Sequence, residues 1–371
     1  MVFYYIVFIL SIVLSLFLSK KKIENGCKYI KIDSIPRMMI AMMPIAIIFL
    51  FRWGVGIDAN WYKGTYPIGY MTLLNNPSAT FGTDILFSII AKIFCYLRIP
   101  YFWWTFFLAA IYISSVSLFF RKWSTNLPVS IFMFFTTDMF FMGFGALRQV
   151  LAISFLLLAY CELKNQKKIT INYKIVIMFV CAVLSHSSAL LAVLVFALSI
   201  IKVPKKVLIK LSVLGTVLYP VTVYLIRKIV SFSEYGIEFL GTEFAEQQGS
   251  ITQIALSLVS LSLMIFFYDK LLNENPNNYF WINNIFFYYI LMINSAALIQ
   301  TYRIVFYFMP ALIISVSLLI TTVKKLTNRL AAICLVVGIS VFIFWNSYYN
   351  YNAKDNYGPY MWVFSYSEFL R

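Results

Sequence analysis

Apolar stretches close to a bilayer's thickness follow one another along almost the whole chain, and short loops rich in lysine and arginine punctuate them. The basic loops are KKK at 20–22, RK at 121–122, KNQKK at 164–168, KVPKK at 202–206 and KKLTNR at 324–329. Positive charge of this kind stays on the cytoplasmic side during insertion, so these loops fix an orientation. The few cations on the opposite side sit inside motifs: Arg52 in FRWGVGIDANWY, Arg148 in GFGALRQ, His186 in LSHSSA and Arg303 in TYRIVFYF. With 371 residues, 62% hydrophobic, 12% charged and a mean hydropathy of +0.83, no soluble core of this length hides so much apolar surface. The expected fold is therefore all-α: a polytopic helical membrane bundle forming a single integral-membrane domain over 1–371.

The net charge of +16 does not point to nucleic acid, because the cations are spread over one set of loops and form no basic–aromatic patch. Orientation and the anionic headgroups of a lipid bilayer account for them. Cys27, Cys95, Cys161, Cys181 and Cys334 share no metal-ligand or redox spacing, so neither a metal site nor a disulfide framework is expected. The opening MVFYYIVFILSIVLSLFLSKKK has no basic residues before its apolar run and reads as a retained first helix entering from outside, not a cleaved signal.

About 20 apolar residues make a full span, and shorter ones suffice where a cavity thins the path. On that basis helices are predicted near 2–19, 38–52, 100–120, 128–143, 147–162, 173–185, 188–201, 207–226, 251–268, 280–300, 304–322 and 330–347, about twelve spans with both N- and C-termini outside. Segment 83–98, TDILFSIIAKIFCYLR, is apolar enough to span but carries Asp84, Lys92 and Arg98. If it crossed, the later lysine clusters would fall outside, so it is predicted to be an interfacial amphipathic helix. It belongs to an external loop at 53–99. A second external loop at 227–250 carries Glu234, Glu238, Glu243 and Glu246 near one helical face, read as a solvated surface or as part of a lid. The tail 348–371, rich in Tyr, Asn and Trp, suits anchoring at the outer interface.

An ionised side chain at membrane depth costs at least about 2.5–3.5 kcal/mol, so each one requires a partner, a hydrated cavity or a function. Arg52 ends the second predicted helix, with Gly54 and Gly56 permitting tight turns and Asp58 following; the alternative is a snorkelling arginine and a capping aspartate. Arg148 lies about 22 Å from Lys164 at 1.5 Å per residue, short of a bilayer core, which places it in an outer recess. Gln149 stands beside it, and Gly143 and Gly145 ease backbone approach. His186, the only histidine, lies between two short spans and is a phosphate donor, a proton carrier or a structural cap. Arg303 and Tyr307, four residues apart, share one helix face, with Pro310 able to kink that helix. Asp138 is the expected salt-bridge partner of an arginine. Converging arginines offer forks suited to phosphate oxygens, and a lipid-linked pyrophosphate approaching from the membrane fits such a pocket. Trp53, Trp61 and Tyr62 are candidate platforms for sugar faces.

FRWGVGIDANWY, GALRQVLAISF, LSHSSAL and TYRIVFYF, in this order across nearly the whole chain, resemble the EpsG-type branch of the Wzy-like bacterial polysaccharide polymerases. This sequence has Ala59 where that pattern more usually has an aromatic after the first-loop Asp, and carries Tyr62 further on. The resemblance implies an inner-membrane enzyme that polymerises undecaprenyl-diphosphate-linked repeat units of O-antigen or exopolysaccharide at the periplasmic face, with a chain-length regulator as a further partner. The implied chemistry is glycosyl transfer without metal or cofactor. Arg148 and Arg303, with Arg52, would stabilise the departing diphosphate, and His186 would add a hydrogen bond to it. Asp58 would be the general base, with Glu243 in reserve. Arg52, Trp61, Tyr62, Gln149, Tyr307 and Glu243 are the expected substrate-binding residues. A lipid-linked oligosaccharide flippase or transporter is the main alternative, although the halves of the chain do not match as repeats do in many transporters. A ligase acting on finished chains fits the motifs less well, and for an acyltransferase the lone histidine lacks an acidic neighbour in sequence.

Overall fold

Backbone polar groups in lipid must be satisfied within their own segment, and the chain accordingly forms helices almost throughout. The computed structural model describes residues 2–24, 27–52, 55–56, 62, 84–164, 169–230, 251–295, 304–323, 334, 337–338 and 340–342. Within these, two compact units form, one from Met1–Leu190 with Ser340–Arg371 and one from Leu191–Ile339.

The first unit begins with α1 (Val2–Leu18), a hairpin of β1 (Lys20–Glu24) and β2 (Cys27–Lys31), and α2 (Ile35–Leu50). Then come α3 (Ile85–Tyr96), α4 (Tyr101–Trp123), α5 (Leu127–Thr136), α6 (Asp138–Gly145), α7 (Leu147–Lys164) and α8 (Tyr173–Ser185). The hairpin stands where the sequence reading expected only a basic loop. Its missed signal is the Asn25-Gly26 pair between two runs of strand length, a strong hairpin sign. The Ile30 N–H donates to the Thr125 carbonyl at 2.9 Å, tying the hairpin to the α4–α5 turn. α4 packs against α2 and α7, α7 against α8, α1 against α2 and α5, and α3 against α8.

α3 buries Phe87, Ser88, Ala91 and Cys95 and turns Ile85, Ile89, Ile93 and Tyr96 outward. Its outer face is thus mainly apolar, with Lys92 half-buried beside it. Phe87, Ala91 and Cys95 form one cluster with Tyr62, Trp104, Leu108, Leu147 and Leu151. That cluster locks the start of α3 against the start of α7.

The second unit contains α9 (Ala189–Ser199) from Leu191 on, α10 (Lys205–Val217), α11 (Tyr219–Val230), α12 (Ile251–Phe266), α13 (Tyr268–Glu274), α14 (Tyr279–Asn294) and α15 (Met309–Thr322). Short 3-10 turns at Pro276–Asn278 and Phe306–Phe308 precede the last two. α14 is the hub, packing on α10, α11, α12 and α15. The buried Asn283 amide donates to the carbonyls of Ser199 and Ile201 at 3.0 and 2.7 Å, satisfying the frayed end of α9.

Two predicted spans are broken and a third bends at its end. The 128–143 span bends by 54° between α5 and α6 and 207–226 by 61° between α10 and α11, whereas 251–268 is one helix, α12, up to Phe266 and bends by 68° into α13. At the first break the Thr136 and Thr137 hydroxyls donate back to the carbonyls of Phe132 and Phe134, a contact that bends helices. At the second, Pro220 withholds an N–H and crowds the preceding turn. At the third, the charged YDK segment turns aside to partners: Lys205 meets Asp269 at 3.2 Å, Lys270 donates to the Thr322 carbonyl, and the Thr322 hydroxyl donates to Glu274 at 2.8 Å. Among the described residues α4 alone, 23 residues long, is long and apolar enough to cross a membrane, or up to four segments if each bent pair is one span. Six further apolar helices of 10–17 residues are shorter than a full crossing. The expected segment 330–347 and the tail 348–371 lie largely or wholly outside the described residues.

Candidate functional site

Asp84 occupies the N-cap position of α3, where an aspartate ordinarily caps its own helix. Here the side chain makes no capping bond. Its carboxylate is turned away into a set of donors brought by α7 and the α8–α9 turn. Arg148, the second residue of α7, places its guanidinium nitrogen 3.0 Å from Asp84 Oδ2. His186 Nδ1 lies 3.0 Å from the same oxygen. The Ser187 N–H donates to Oδ1 at 3.1 Å. All four groups belong to the first unit.

Local structure aims each of these side chains. The break at Ala146, between α6 and α7, puts Arg148 in the first turn of a new helix, whose Val150 N–H bonds back to Ala146 at 2.8 Å. His186 ends α8, its N–H donating to the Ala182 carbonyl at 3.0 Å. Its own carbonyl accepts from the Ala189 N–H at 2.9 Å, so LSHSSA forms one tight turn into α9. That turn presents the His186 ring and the Ser187 amide in the same direction.

Asp84 is 2% exposed in its side chain, whereas Arg148 is 32% and His186 20% exposed. A buried anion thus anchors two cation-capable groups that still reach solvent. Burial by itself raises the Asp84 pKa. The hydrogen bond from His186, its charge when the ring is protonated, the Ser187 N–H and the charge of Arg148 together outweigh burial and hold the carboxyl below its ordinary value. Arg148 also donates to the Tyr62 hydroxyl oxygen. The Tyr62 ring is covered by Phe87 and Trp104, with centroids at 6.0 and 6.1 Å, so in this arrangement it braces Arg148 and presents no open face to a sugar.

Arg52 is nearly buried, 5% exposed, and donates to the Gly143 carbonyl at 2.7 Å. The Phe49 and Phe144 rings flank its guanidinium at 5.9 and 5.3 Å. Gly56 follows with φ +121°, and a Cβ there would stand 2.5 Å from the Phe144 carbonyl oxygen. At Gly143 a Cβ would stand 2.5 Å from the Phe49 ring and 2.8 Å from the Tyr112 ring. Gly143, marked in the sequence for close approach, and Gly56, marked for a tight turn, are both places where two chain segments meet.

The remaining sequence candidates fall elsewhere. Gln149 is buried in α7 next to Arg148, and Tyr307 is buried in the 3-10 turn of the second unit. Asp58, Trp61, Glu243 and Arg303 lie outside the described residues, as do Trp53, Gly54 and the acidic run Glu234–Glu246. The expected arginine partner was Asp138. The partner the structure gives Arg148 is Asp84, and the Asp138 side chain is also outside the description. The missed signal for Asp84 was energetic: an acid in an otherwise apolar segment requires a partner. No group of three or more His, Cys, Asp or Glu side chains that could hold a metal ion exists among the described residues.

The profile of the EpsG family matches residues 37–362, most of the chain, and spans all four motifs. The chain belongs to the EpsG family. No curated protein and no solved structure matches it. EpsG-family membership, with the apolar helices, makes this a membrane protein of polysaccharide synthesis. Three of the segments singled out in the sequence supply Arg52, Arg148 and His186 to the first unit, and Asp84 joins the last two.

Proposed function

We propose that this EpsG-family protein is a polysaccharide polymerase of the bacterial inner membrane, joining undecaprenyl-diphosphate-linked repeat units of O-antigen or exopolysaccharide type at the periplasmic face. A hydroxyl at the non-reducing end of one unit attacks the anomeric carbon of the growing chain, and undecaprenyl diphosphate leaves. Negative charge builds on the diphosphate as the bond breaks, so preorganised donors there lower the barrier. The observation that carries the reading is the pairing of Arg148 and His186 on one buried carboxylate, both partly exposed. Asp84 fixes the direction of Arg148, whose planar fork suits phosphate oxygens. Arg303 takes the same leaving-group role on the strength of TYRIVFYF, and Arg52 supports the site by holding Gly143.

The test is complementation of a strain lacking its own polymerase. Arg148→Ala and Arg148→Lys both abolish long-chain polysaccharide at equal protein level, because a point charge does not replace the fork. Normal chains from Arg148→Ala would remove Arg148 from the leaving-group site, whereas normal chains from Arg148→Lys alone would show that a point charge suffices there. Cells without the protein should still display single units outside; their absence there would instead indicate a flippase.

A further inference from the structure

Which ring nitrogen faces Asp84 decides what the other can do. An ionised carboxylate only accepts hydrogen bonds, so at 3.0 Å from Oδ2 the His186 Nδ1 carries the proton. Arg148 and the Ser187 N–H fill the rest of the carboxylate at 3.0 and 3.1 Å. All three contacts point donors at Asp84. The neutral ring then bears its lone pair on Nε2, on the edge away from the carboxylate, and the side chain is 20% exposed. A buried acid that fixes the tautomer of a histidine is the arrangement that makes imidazole a general base, since it also steadies the imidazolium that forms.

We propose that His186 Nε2 is the general base that takes the proton of the acceptor sugar hydroxyl, and that Asp84 is the positioning residue that holds the ring for it. This rests on the polymerase reading of the same site and moves the base role from Asp58 to His186. In the step, the acceptor oxygen forms its bond to the anomeric carbon. The bond from that carbon to the diphosphate oxygen breaks, and its electron pair leaves with undecaprenyl diphosphate. The hydroxyl proton passes to Nε2, the imidazolium stays paired with Asp84, and the proton goes to water as products depart. Arg148 is bound to the same carboxylate oxygen as the ring, and in this step it takes up the charge of the leaving diphosphate.

The experiment uses the purified full chain in phospholipid vesicles, with lipid-linked repeat units extracted from polymerase-null cells. Asn at 186 can keep a donor toward Asp84 but has no basic nitrogen. His186→Asn is expected to lower kcat by about 10²- to 10⁴-fold with little change in KM. His186→Gln, which places an amide near Nε2, fails equally if the nitrogen must accept a proton. His186→Ala regains turnover with added imidazoles in proportion to their basicity, a response that also shows the variant is folded. Asp84→Asn lowers kcat at least about tenfold, and histidine remains essential in that background. His186→Gln within tenfold of the parent, or a loss confined to KM, overturns the base assignment and leaves His186 a donor to the diphosphate. Loss of turnover in Asp58→Asn with none in His186→Asn overturns it in favour of Asp58. If the parent protein forms no polymer from these units, the polymerase reading fails, and this inference with it.

Discussion

Replacing Asp84 by asparagine changes one oxygen to an amide nitrogen, in a place where all the observed partners are donors. The two carboxylate oxygens accept from Arg148, His186 and the Ser187 N–H. The less damaging orientation keeps Oδ1 toward Arg148 and His186 and sets the new NH2 against the Ser187 N–H. The other orientation opposes both side-chain donors. Either way at least one charge-assisted bond is lost, about 1.5–3 kcal/mol, and the remaining contacts lose the carboxylate charge. Breaking a buried pair costs about 3–5 kcal/mol, but with Arg148 32% exposed water replaces part of what is lost. The expected destabilisation is therefore about 3 kcal/mol. Denaturant titration of the protein in micelles measures it, and a cycle with Arg148→Ala should show a coupling of about 1–3 kcal/mol. A variant within about 0.5 kcal/mol of the parent, together with no coupling, would refute the view that this carboxylate anchors the site.

The same carboxyl gives the pH dependence. Its pKa is held below the ordinary carboxylate value, so its contribution is complete above that ordinary value and is lost as pH falls through the lower folded-state value. The stability gap between parent and Asp84→Asn should narrow in acid stronger than about pH 4; a gap that is unchanged there would contradict it. Gly56→Ala combines a φ of +121° with a Cβ 2.5 Å from a backbone oxygen and should cost about 2 kcal/mol or more, seen as a lowered thermal midpoint. Arg52→Ala removes a bond to a buried carbonyl and two ring contacts, so about 3 kcal/mol of stability should go, and polymer with it. Unchanged stability with weaker binding of undecaprenyl diphosphate would make Arg52 a ligand contact instead.

Helix positions were largely legible because apolar run length dictates them in a membrane: Val2–Leu18, Tyr101–Trp123, Leu147–Lys164 and Tyr173–Ser185 fall close to the segments read from hydropathy. The bends were less so, because they depend on what nearby polar groups find to bond, as the YDK segment does after Phe266. Gly56 could be flagged for a tight turn and Gly143 for close approach, but the sequence did not name the Phe144 backbone or the Phe49 and Tyr112 rings as what approaches. Arg148 and His186 stood out because a cation at membrane depth is costly wherever it points. Asp84 carried the same warning and was read only as a charge against spanning.

By itself the sequence determined that the chain is a helical membrane protein, and it marked the motifs whose order carries the family resemblance, since composition and run length act locally and need no partner. Only tertiary structure decided that residues 64 and 102 positions apart meet on one carboxylate. Hydrogen-bond geometry depends on how α3, α7 and the α8–α9 turn pack, and no periodicity along a single helix records which buried acid a distant arginine and histidine share.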